Sequence, residues 1–434
     1  MMHSPEAGPR PGVIVLGNMI TNFGNSLYVV GLFIFIARDY PNPLFLGMIQ
    51  AAAYLPVVLF SFQGGIRADR ENRIRIISGS DILRGAGFIS AALLFFSRVS
   101  IHPMLILIPM VLFNAFMQAR FTPAVMSYLL DINLYMKRRG KQSGRMQKGP
   151  DWFSLRTAVT HLASLAGQGA GAVLSGLLGM SWLLVISGAG FLFSGFWERT
   201  SADAPKAAGD SAHGVGDENF SLRGVMGHIR RLHAFHRLGV PVYLYLGIQG
   251  VNSMLVINMP FFLLRRLGAP EMFLGLAMAA LFGGSLLYAA ADSLLLSKVS
   301  WGRGKAGLFG LLYAGFLLLM SMVPGGYLEG SGMMFRGLFP LLILLICGAL
   351  LSAVYLSTLR ELHAQSAGQG SGGYLGLLEA MGTAVLPVSY LVNSAIAGLL
   401  PLDTPWLLRS ASAVLFTGIM IMILVKRYSG SGKT

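Results

Sequence analysis

Ionisable side chains are rare inside the long apolar stretches of this sequence, and two of them could do chemistry there. Arg120 lies in the stretch 103–128, and Glu379 lies early in the stretch 374–397. An arginine among apolar residues costs roughly 3 kcal/mol or more, so it must face a polar cavity or a partner. A carboxylate away from basic neighbours loses solvation of its charged form, so it could bind and release protons near neutral pH. These residue types predict binding and proton exchange rather than covalent catalysis.

Each of these residues also has a second interpretation. Arg120 could form a buried pair with Asp81 or Asp131 that serves stability alone, instead of contacting a substrate or coupling protons. Glu379 could be a carboxylate that stays hydrated at the mouth of a pathway. The residues alone leave both pairs of alternatives open.

Side-chain amides form a polar stripe on each of two otherwise apolar helices. At 100° per residue the amides of the first stripe fall within about 60° of one another. Amides in hydrocarbon need partners, so the stripes predict either the lining of a transport pathway or hydrogen bonds between helices. The first stripe is Asn18, Asn22 and Asn25, and the second is Gln249, Asn252 and Ser253.

Patterns for a metal site, a cofactor or an ATPase are not supported. His161 has no second ligand at metal-binding spacing. The terminal Ser429-Gly-Ser-Gly-Lys-Thr434 lacks the first glycine of a phosphate-binding loop and no helix follows it. A membrane enzyme or receptor would need a catalytic constellation or a sizeable soluble domain, and neither is evident.

The elements that must position these residues are long apolar runs. The chain has 434 residues, of which 54% are hydrophobic and only 12% charged, and its mean hydropathy is +0.64. Runs of roughly 20 residues are long enough to cross a bilayer as helices. We therefore predict an all-α membrane protein with spans at about 13–37, 44–63, 76–97, 103–128, 155–176, 180–197, 238–264, 272–296, 307–324, 337–359, 374–397 and 405–425.

The distribution of charge predicts the orientation of the chain. Gly64 to Arg75 forms a short basic loop, and such loops stay on the cytoplasmic side. Most of the 33 Lys and Arg residues then lie on that side with both termini. The net charge of +15 therefore reflects orientation and contact with lipid headgroups rather than nucleic acid.

The runs divide into two halves joined by a polar segment. We predict an N-terminal six-helix bundle at 1–197, a cytoplasmic linker at 198–237 and a C-terminal six-helix bundle at 238–434. Leu222 to His236 could be an amphipathic helix on the membrane surface or a plain spacer. The halves echo each other, since Phe45-Leu46-Gly47 returns as Phe273-Leu274-Gly275.

One motif resembles that of a known family. Gly65-x-x-x-Asp69-Arg70-x-x-Arg73-x-Arg75 is similar to the loop signature of the major facilitator superfamily, with Asn72 and Ile74 as departures. The resemblance implies twelve helices in two bundles that rock about a central site. It further implies a monomeric secondary transporter in the inner (plasma) membrane, without a cofactor.

Other residues resemble one branch of that family. Arg120, with Phe121-Thr122-Pro123-Ala124, and the pair Asp81-x-x-Arg84 are similar to macrolide efflux pumps and siderophore exporters. The pattern Gly167-x-x-x-Gly171 resembles the exporters' glycine motif, although close helix packing explains it equally. This likeness implies proton-coupled export of an amphipathic drug, siderophore or lipid-like molecule, with Glu379 and Asp81 in coupling. The alternative is an uptake permease or a lipid or metabolite facilitator on the same fold.

The resemblance also implies a gate at the basic loop. Asp69 is expected to lie against the positive N-terminal end of the eleventh helix, while Gly65, Arg70 and Arg73 complete the contact. We predict that this latch joins the halves on the cytoplasmic side and favours an outward-open state.

Overall fold

Helices account for nearly all of the described chain. The computed structural model describes residues 8–97, 101–142, 152–203, 240–294, 305–328, 333–365 and 371–399. The predicted span at 405–425 and the segment Leu222 to His236 lie outside these ranges. The helices within them are α1 (Pro11–Asp39), α2 (Leu44–Arg70), α3 (Arg73–Phe96), α4 (Pro103–Gln142), α5 (Trp152–Leu178), α6 (Met180–Glu198), α7 (Val240–Phe261), α8 (Glu271–Leu294), α9 (Lys305–Ser321), α10 (Met333–Gln365) and α11 (Ser371–Leu399), with a π-helical turn at Phe262–Arg266 after α7.

The lengths of these helices suit a bilayer. Eight segments within the described ranges are long and apolar enough to cross a membrane, and two shorter apolar segments occur in α9 and α11. The predicted all-helical membrane fold is confirmed. It follows from apolar runs whose backbone groups must be hydrogen-bonded within each segment.

Most of the basic segment Gly64 to Arg75, which the sequence predicts to be a loop, is helical. α2 continues to Arg70, and only Glu71 and Asn72 separate it from α3. The Asn72 side chain accepts a hydrogen bond from the backbone N–H of Arg75 at 3.0 Å, which caps α3. Arg67 and Arg70 in the last turn of α2 favour its extension because they complement the negative end of the helix dipole.

The end of the first half also differs from the prediction. Glu198 and the residues up to 203, expected to begin the linker, pack on the N-terminal half. Glu198 completes α6 and is fully buried. Ser201 accepts a hydrogen bond from the backbone N–H of Arg10, and Asp203 accepts one from that of Arg73. These contacts hold a polar stretch that its composition alone does not predict to be ordered.

The helix pairs repeat with a period of six helices. In the first half α1 packs on α5, α2 on α4, and α3 on α4; in the second α7 packs on α11, α8 on α10, and α9 on α10. The two most extensive helix contacts between the described parts of the halves are α2 with α11 and α5 with α8, and each is the repeat equivalent of the other. The fold is therefore two bundles built on one plan.

The Phe-Leu-Gly repeat has a structural reason. A Cβ atom on Gly47 of α2 would collide with the Ser394 side chain of α11 and lie 2.8 Å from the Tyr390 carbonyl oxygen. A Cβ atom on Gly275 of α8 would collide with Ala172 of α5 and lie 2.9 Å from the Gln168 carbonyl oxygen. Both glycines thus lie where a helix of one half crosses a helix of the other.

Candidate functional site

A cavity of about 940 Å³ lies between the two halves. Helices α1, α2, α4 and α5 line it from the first half, and α7, α8, α10 and α11 from the second. Within the described part of the chain, none of the side chains on its wall carries a charge. Ligand pockets commonly combine such apolar walls with a few placed polar groups.

Six side-chain carboxamides lie on this wall. Each carboxamide offers two donors and an acceptor, so the cavity can hydrogen-bond a ligand without a charge. The amides come from both halves: Asn25, Gln50, Asn114, Gln118, Gln168 and Asn252. Hydroxyl groups add to them at Ser26, Ser61, Thr122, Ser285 and Thr383.

Three tyrosines also line the cavity. Tyr54 of α2 and Tyr390 of α11 stack across the two halves with ring centroids 5.6 Å apart. Tyr28 packs edge-on against Phe88 at 4.7 Å, and its hydroxyl accepts a hydrogen bond from Asn114 at 3.1 Å. Rings with a polar tip can bury an apolar part of a ligand and bond to its polar part.

The halves are tied together at one end of the cavity. Nε of Arg265 donates to the carbonyl oxygen of Ala37 at 2.8 Å, and its Nη2 donates to that of Arg38 at 3.2 Å. Those carbonyls belong to the last turn of α1, where no intrahelical donor remains for them. Arg38 in turn pairs with Glu271 at 3.4 Å. This end, which we call the sealed end, lies opposite the basic segment Gly64 to Arg75.

A charged cluster is buried beside the cavity, within the first half. Asp81 and Arg84 form an ion pair of 3.1 Å on α3, with exposed side-chain fractions of 0% and 2%. The Thr21 hydroxyl of α1 donates to Asp81 and lies 3.1 Å from the Ser194 hydroxyl of α6. The Arg84 guanidinium also lies over the ring of Phe191 at 4.4 Å. Burying charge is costly, and pairing and hydrogen bonds offset that cost.

Glu198 adds a second acid to this cluster. Its side chain is fully buried, and neither carboxylate oxygen has a hydrogen-bond partner of normal geometry. Asp81, Arg84 and Ser194 are close enough to interact with it electrostatically. A Cβ atom on Gly17 would lie 2.5 Å from Oε1 of Glu198, so the absence of a side chain on α1 makes room for this carboxyl group.

Two of the six predicted substrate-binding residues line the cavity. These are Asn25 and Asn252, and Asn252 accepts a hydrogen bond from Tyr313 at 3.2 Å. Asn18 and Asn22 are instead bonded to each other on α1, and Asn18 also accepts from Nε of Arg156 at 3.0 Å. Gln249 is partly buried and has an interaction of its own, but it is not on the wall of the cavity. For Asn18 and Asn22 the structure shows hydrogen bonding rather than pathway lining.

Arg120 is the sixth of these residues, and it is also away from the cavity wall. Its guanidinium lies over the Phe116 ring at 4.3 Å and interacts with Arg67 and Glu71. The two acids considered as its partners are paired elsewhere: Asp81 with Arg84, and Asp131 with Arg73 at 2.7 Å. In this conformation Arg120 forms neither predicted pair.

The predicted gate residues show contacts within one half. Arg73 is buried and joins α3 to α4 through Asp131 and to the Ala68 carbonyl oxygen. A Cβ atom on Gly65 would meet nothing within 4 Å, and Arg70 is exposed with an interaction of its own. The side chains of Asp69 and Glu379 lie outside the described part, so the latch and the role of Glu379 remain predictions.

The glycine pattern of α5 has the packing role that the sequence allows. A Cβ atom on Gly167 or Gly171 would collide with carbonyl oxygens of Phe23 or Leu27 on α1. These glycines therefore permit close approach of two helices within the first half.

Several residues of the cavity wall and of the buried cluster were not predicted. Gln50, Asn114, Gln118 and Gln168 line the cavity, and Glu198 belongs to the buried cluster. The amides had a sequence signal, because each interrupts an apolar run. Glu198 had none, since it borders a polar segment. Among the described residues, no group of three His, Cys, Asp or Glu could hold a metal.

The chain is similar to a known protein family and to several solved structures. The family model of the Major Facilitator Superfamily matches residues 14–389. The nucleoside transporter NupG has 12% identity and a TM-score of 0.69, covering 95% of this chain and 98% of NupG. The POT family transporter PepTSo has 14% identity and a TM-score of 0.66, covering 99% and 100%.

A further solved structure has the same architecture. It is a bacterial homolog of the human lysosomal transporter Spinster, in an inward-facing and unoccupied conformation, with 14% identity and a TM-score of 0.59, covering 96% of this chain and 94% of that one. No curated protein matches the sequence. At these identities the solved structures establish the fold alone.

Proposed function

Because the chain belongs to the Major Facilitator Superfamily, we propose that it exports an uncharged amphipathic small molecule by alternating access, in exchange for protons. The observation that supports this substrate class is the wall of the central cavity. Six carboxamides and three tyrosines line it without a charged side chain in the described part of the chain.

The chemistry of the wall favours neutral substrates. A charged ligand that enters an apolar cavity loses its hydration, and no opposite charge on the described wall would offset the loss. Hydroxyl, carbonyl and amide groups of a neutral ligand match the carboxamides instead. Val57, Val256, Met278, Leu281 and Phe282 supply apolar surface for the rest of such a ligand.

The sealed end determines which side of the membrane the cavity faces in this conformation. Arg265, Arg38 and Glu271 join the halves there, opposite the basic segment. If the basic segment is cytoplasmic, as the charge distribution predicts, then the cavity faces the cytoplasm. An exporter loads its substrate in this state and an importer releases its substrate in it, so the transport assay described below decides the direction.

The substrate class is tested by binding to the purified protein. Uridine, an uncharged macrolactone and the zwitterion dialanine are compared by ligand-induced thermal stabilisation and calorimetry. We expect a neutral probe to bind and Asn252→Leu to weaken its binding by roughly tenfold, which corresponds to about 1.4 kcal/mol. Gln249→Leu, which removes an amide from the same helix but not from the cavity wall, is the matched control.

Two results would contradict this substrate class. Tighter binding of dialanine than of either neutral probe would show that the wall does not select against charge. If Asn252→Leu and Gln249→Leu weaken binding of the probe equally, the probe does not bind at the cavity wall.

The direction and the coupling need a separate measurement. In proteoliposomes with a proton gradient, an exporter moves the bound probe against the flow of protons. Movement of the probe with the proton flow would support the uptake permease instead. A rate and direction of probe transport that do not change with the proton gradient would support a facilitator.

A further inference from the structure

The buried cluster of the first half contains more negative than positive groups. Asp81 and Glu198 are both fully buried, and the guanidinium of Arg84 is the cation that interacts with both. Two carboxylates and one guanidinium carry a net charge of −1 if both acids are ionised. The cluster is neutral only when one of the two acids holds a proton.

The surroundings of Glu198 supply no second cation in contact with it. α3 presents Asp81 and Arg84, α6 presents Ser194, and α1 presents Gly17 and Thr21. Arg156 of α5 reaches α1 one residue from Gly17, but its Nε is bonded to Asn18. Tyr128 of α4 lies beyond the end of α6, with its hydroxyl 3.1 Å from that of Ser201. Neither oxygen of Glu198 has a hydrogen bond of normal geometry, and the donor that interacts with it is the Ser194 hydroxyl.

We propose that Glu198 and Asp81 form a proton-binding site that shares one proton, outside the substrate cavity and connected to it through Arg84 and Asn114. The inference rests on the proposed proton-coupled transport and names the site that would carry the proton. The residues come from α1, α3 and α6, so the site lies wholly within the first half.

The connection to the cavity is a short chain of hydrogen bonds. Nε of Arg84 donates to Oδ1 of Asn114 at 2.8 Å, and Nδ2 of Asn114 donates to the Tyr28 hydroxyl at 3.1 Å. Asn114 and Tyr28 both line the cavity, as does Asn25, whose Oδ1 lies 3.5 Å from the same Nδ2. A ligand that bonds to Asn114 competes for the group that orients Arg84. Movement of Arg84 then changes the balance of charge around the two acids.

The proton step is simple in its chemistry. A proton from water adds to one carboxylate oxygen of Glu198 or Asp81, and the cluster changes from net −1 to neutral. On release the proton returns to water and the net charge of −1 is restored. No other bond forms or breaks, and no cofactor takes part.

The site is tested on purified full-length protein without substrate. Infrared difference spectra between acidic and alkaline buffer report the carboxylic acid C=O band, and an indicator dye reports the protons bound per molecule. We expect Glu198→Gln and Asp81→Asn each to remove this band and to bind one proton fewer, because each leaves one acid paired with Arg84. Glu271→Gln, which removes an acid at the sealed end, keeps the band.

Control measurements keep the outcome interpretable. Size-exclusion profile and circular dichroism establish that each variant is folded, and either single variant suffices for the test. Undiminished band intensity and proton uptake in folded Glu198→Gln would overturn the site.

A parallel assay separates this inference from the proposed function. If gradient-driven transport survives in Glu198→Gln, the coupling role of the site is wrong while the exporter stands. If Glu198→Gln binds its neutral probe but no longer responds to the gradient, the site is supported. The infrared result decides the existence of the site even if none of the tested probes is transported.

Discussion

The two halves of the molecule share one plan of helix packing but differ in where they bury charge. Asp81, Arg84, Glu198 and Arg73 are all buried in the first half. Among the described side chains of the second half, Asp292 is the buried charged residue. Within the described residues, the repeat reproduces the scaffold without reproducing the ionisable cluster. This difference teaches that two halves with the same helix packing can differ in the ionisable groups that they bury.

The largest expected effect is a loss of stability when the buried cluster of the first half is broken. Arg84→Leu leaves two buried acids without a cation, which destabilises the fold by about 3 to 5 kcal/mol. Thermal unfolding in detergent measures the loss, with exposed Arg199→Ala as the control. Adding Asp81→Asn and Glu198→Gln to Arg84→Leu removes the uncompensated charge and should restore much of the stability. A loss no larger than that of Arg199→Ala would contradict the asymmetry between the halves.

The next prediction tests the shared plan of the two halves. Gly47→Val and Gly275→Val each place a side chain where α2 meets α11 or α8 meets α5. Overpacking at such contacts costs about 1 to 3 kcal/mol, so both variants should open the sealed end to a similar extent. Phe33 is a buried residue of α1 on the cavity wall, about two turns before the end of that helix, and labelling of a cysteine introduced there measures the opening. Gly283→Val is the matched control, since a Cβ atom there meets nothing within 4 Å.

Unequal results for the two glycine variants would be informative. If only one of them opens the sealed end, the two repeat-related contacts between the halves contribute unequally to the stability of the interface.

A smaller effect is expected for Arg265→Ala. The variant loses two hydrogen bonds from a guanidinium to the carbonyl groups at the end of α1. Their partial exposure limits the loss to about 1 kcal/mol, a several-fold shift in population away from the sealed state. The cysteine at position 33 reports this shift, because native Cys347 is buried. Arg75→Ala, an exposed arginine at the opposite end, should leave the labelling rate unchanged.

The smallest effect is expected for Arg38→Ala. Its pair with Glu271 is largely exposed, with side-chain fractions of 69% and 28%. Such pairs contribute about 0 to 1 kcal/mol and weaken in salt. The same labelling assay should show a change close to its error. A shift as large as that of Arg265→Ala would mean that the ion pair, rather than the capping of α1, holds the sealed end.

The sequence predicted those features that depend on apolar length. Runs of about 20 residues located the helices well, because helices must satisfy their own backbone groups in lipid. Asn25 and Asn252 were predicted from amides on apolar helices, and both line the cavity. The same signal is present at Asn114 and Gln118, one helical turn apart on α4.

Other features depend on contacts between distant residues and could not be read from local patterns. Glu198 borders a polar segment, so its burial depends on Gly17, far away in sequence, leaving space for its carboxyl group. Asp81 pairs with Arg84, three residues on along α3, a spacing that allows the contact, whereas the position of Arg120 over the Phe116 ring depends on the tertiary fold. The arginines in the last turn of α2 favour a helix up to Arg70, although a cluster of charges in a sequence usually indicates a loop.

The cluster of Asp81, Arg84 and Glu198 is next to the cavity but not part of its wall. Substitutions at wall residues other than Asn114 and Tyr28, which lead to Arg84, can therefore change which molecules fit without contacting the ionisable groups. In evolution, substrate range and energy coupling could then diverge independently in this protein. For engineering, the wall residues of the second half are the ones to vary first when a new cargo is wanted.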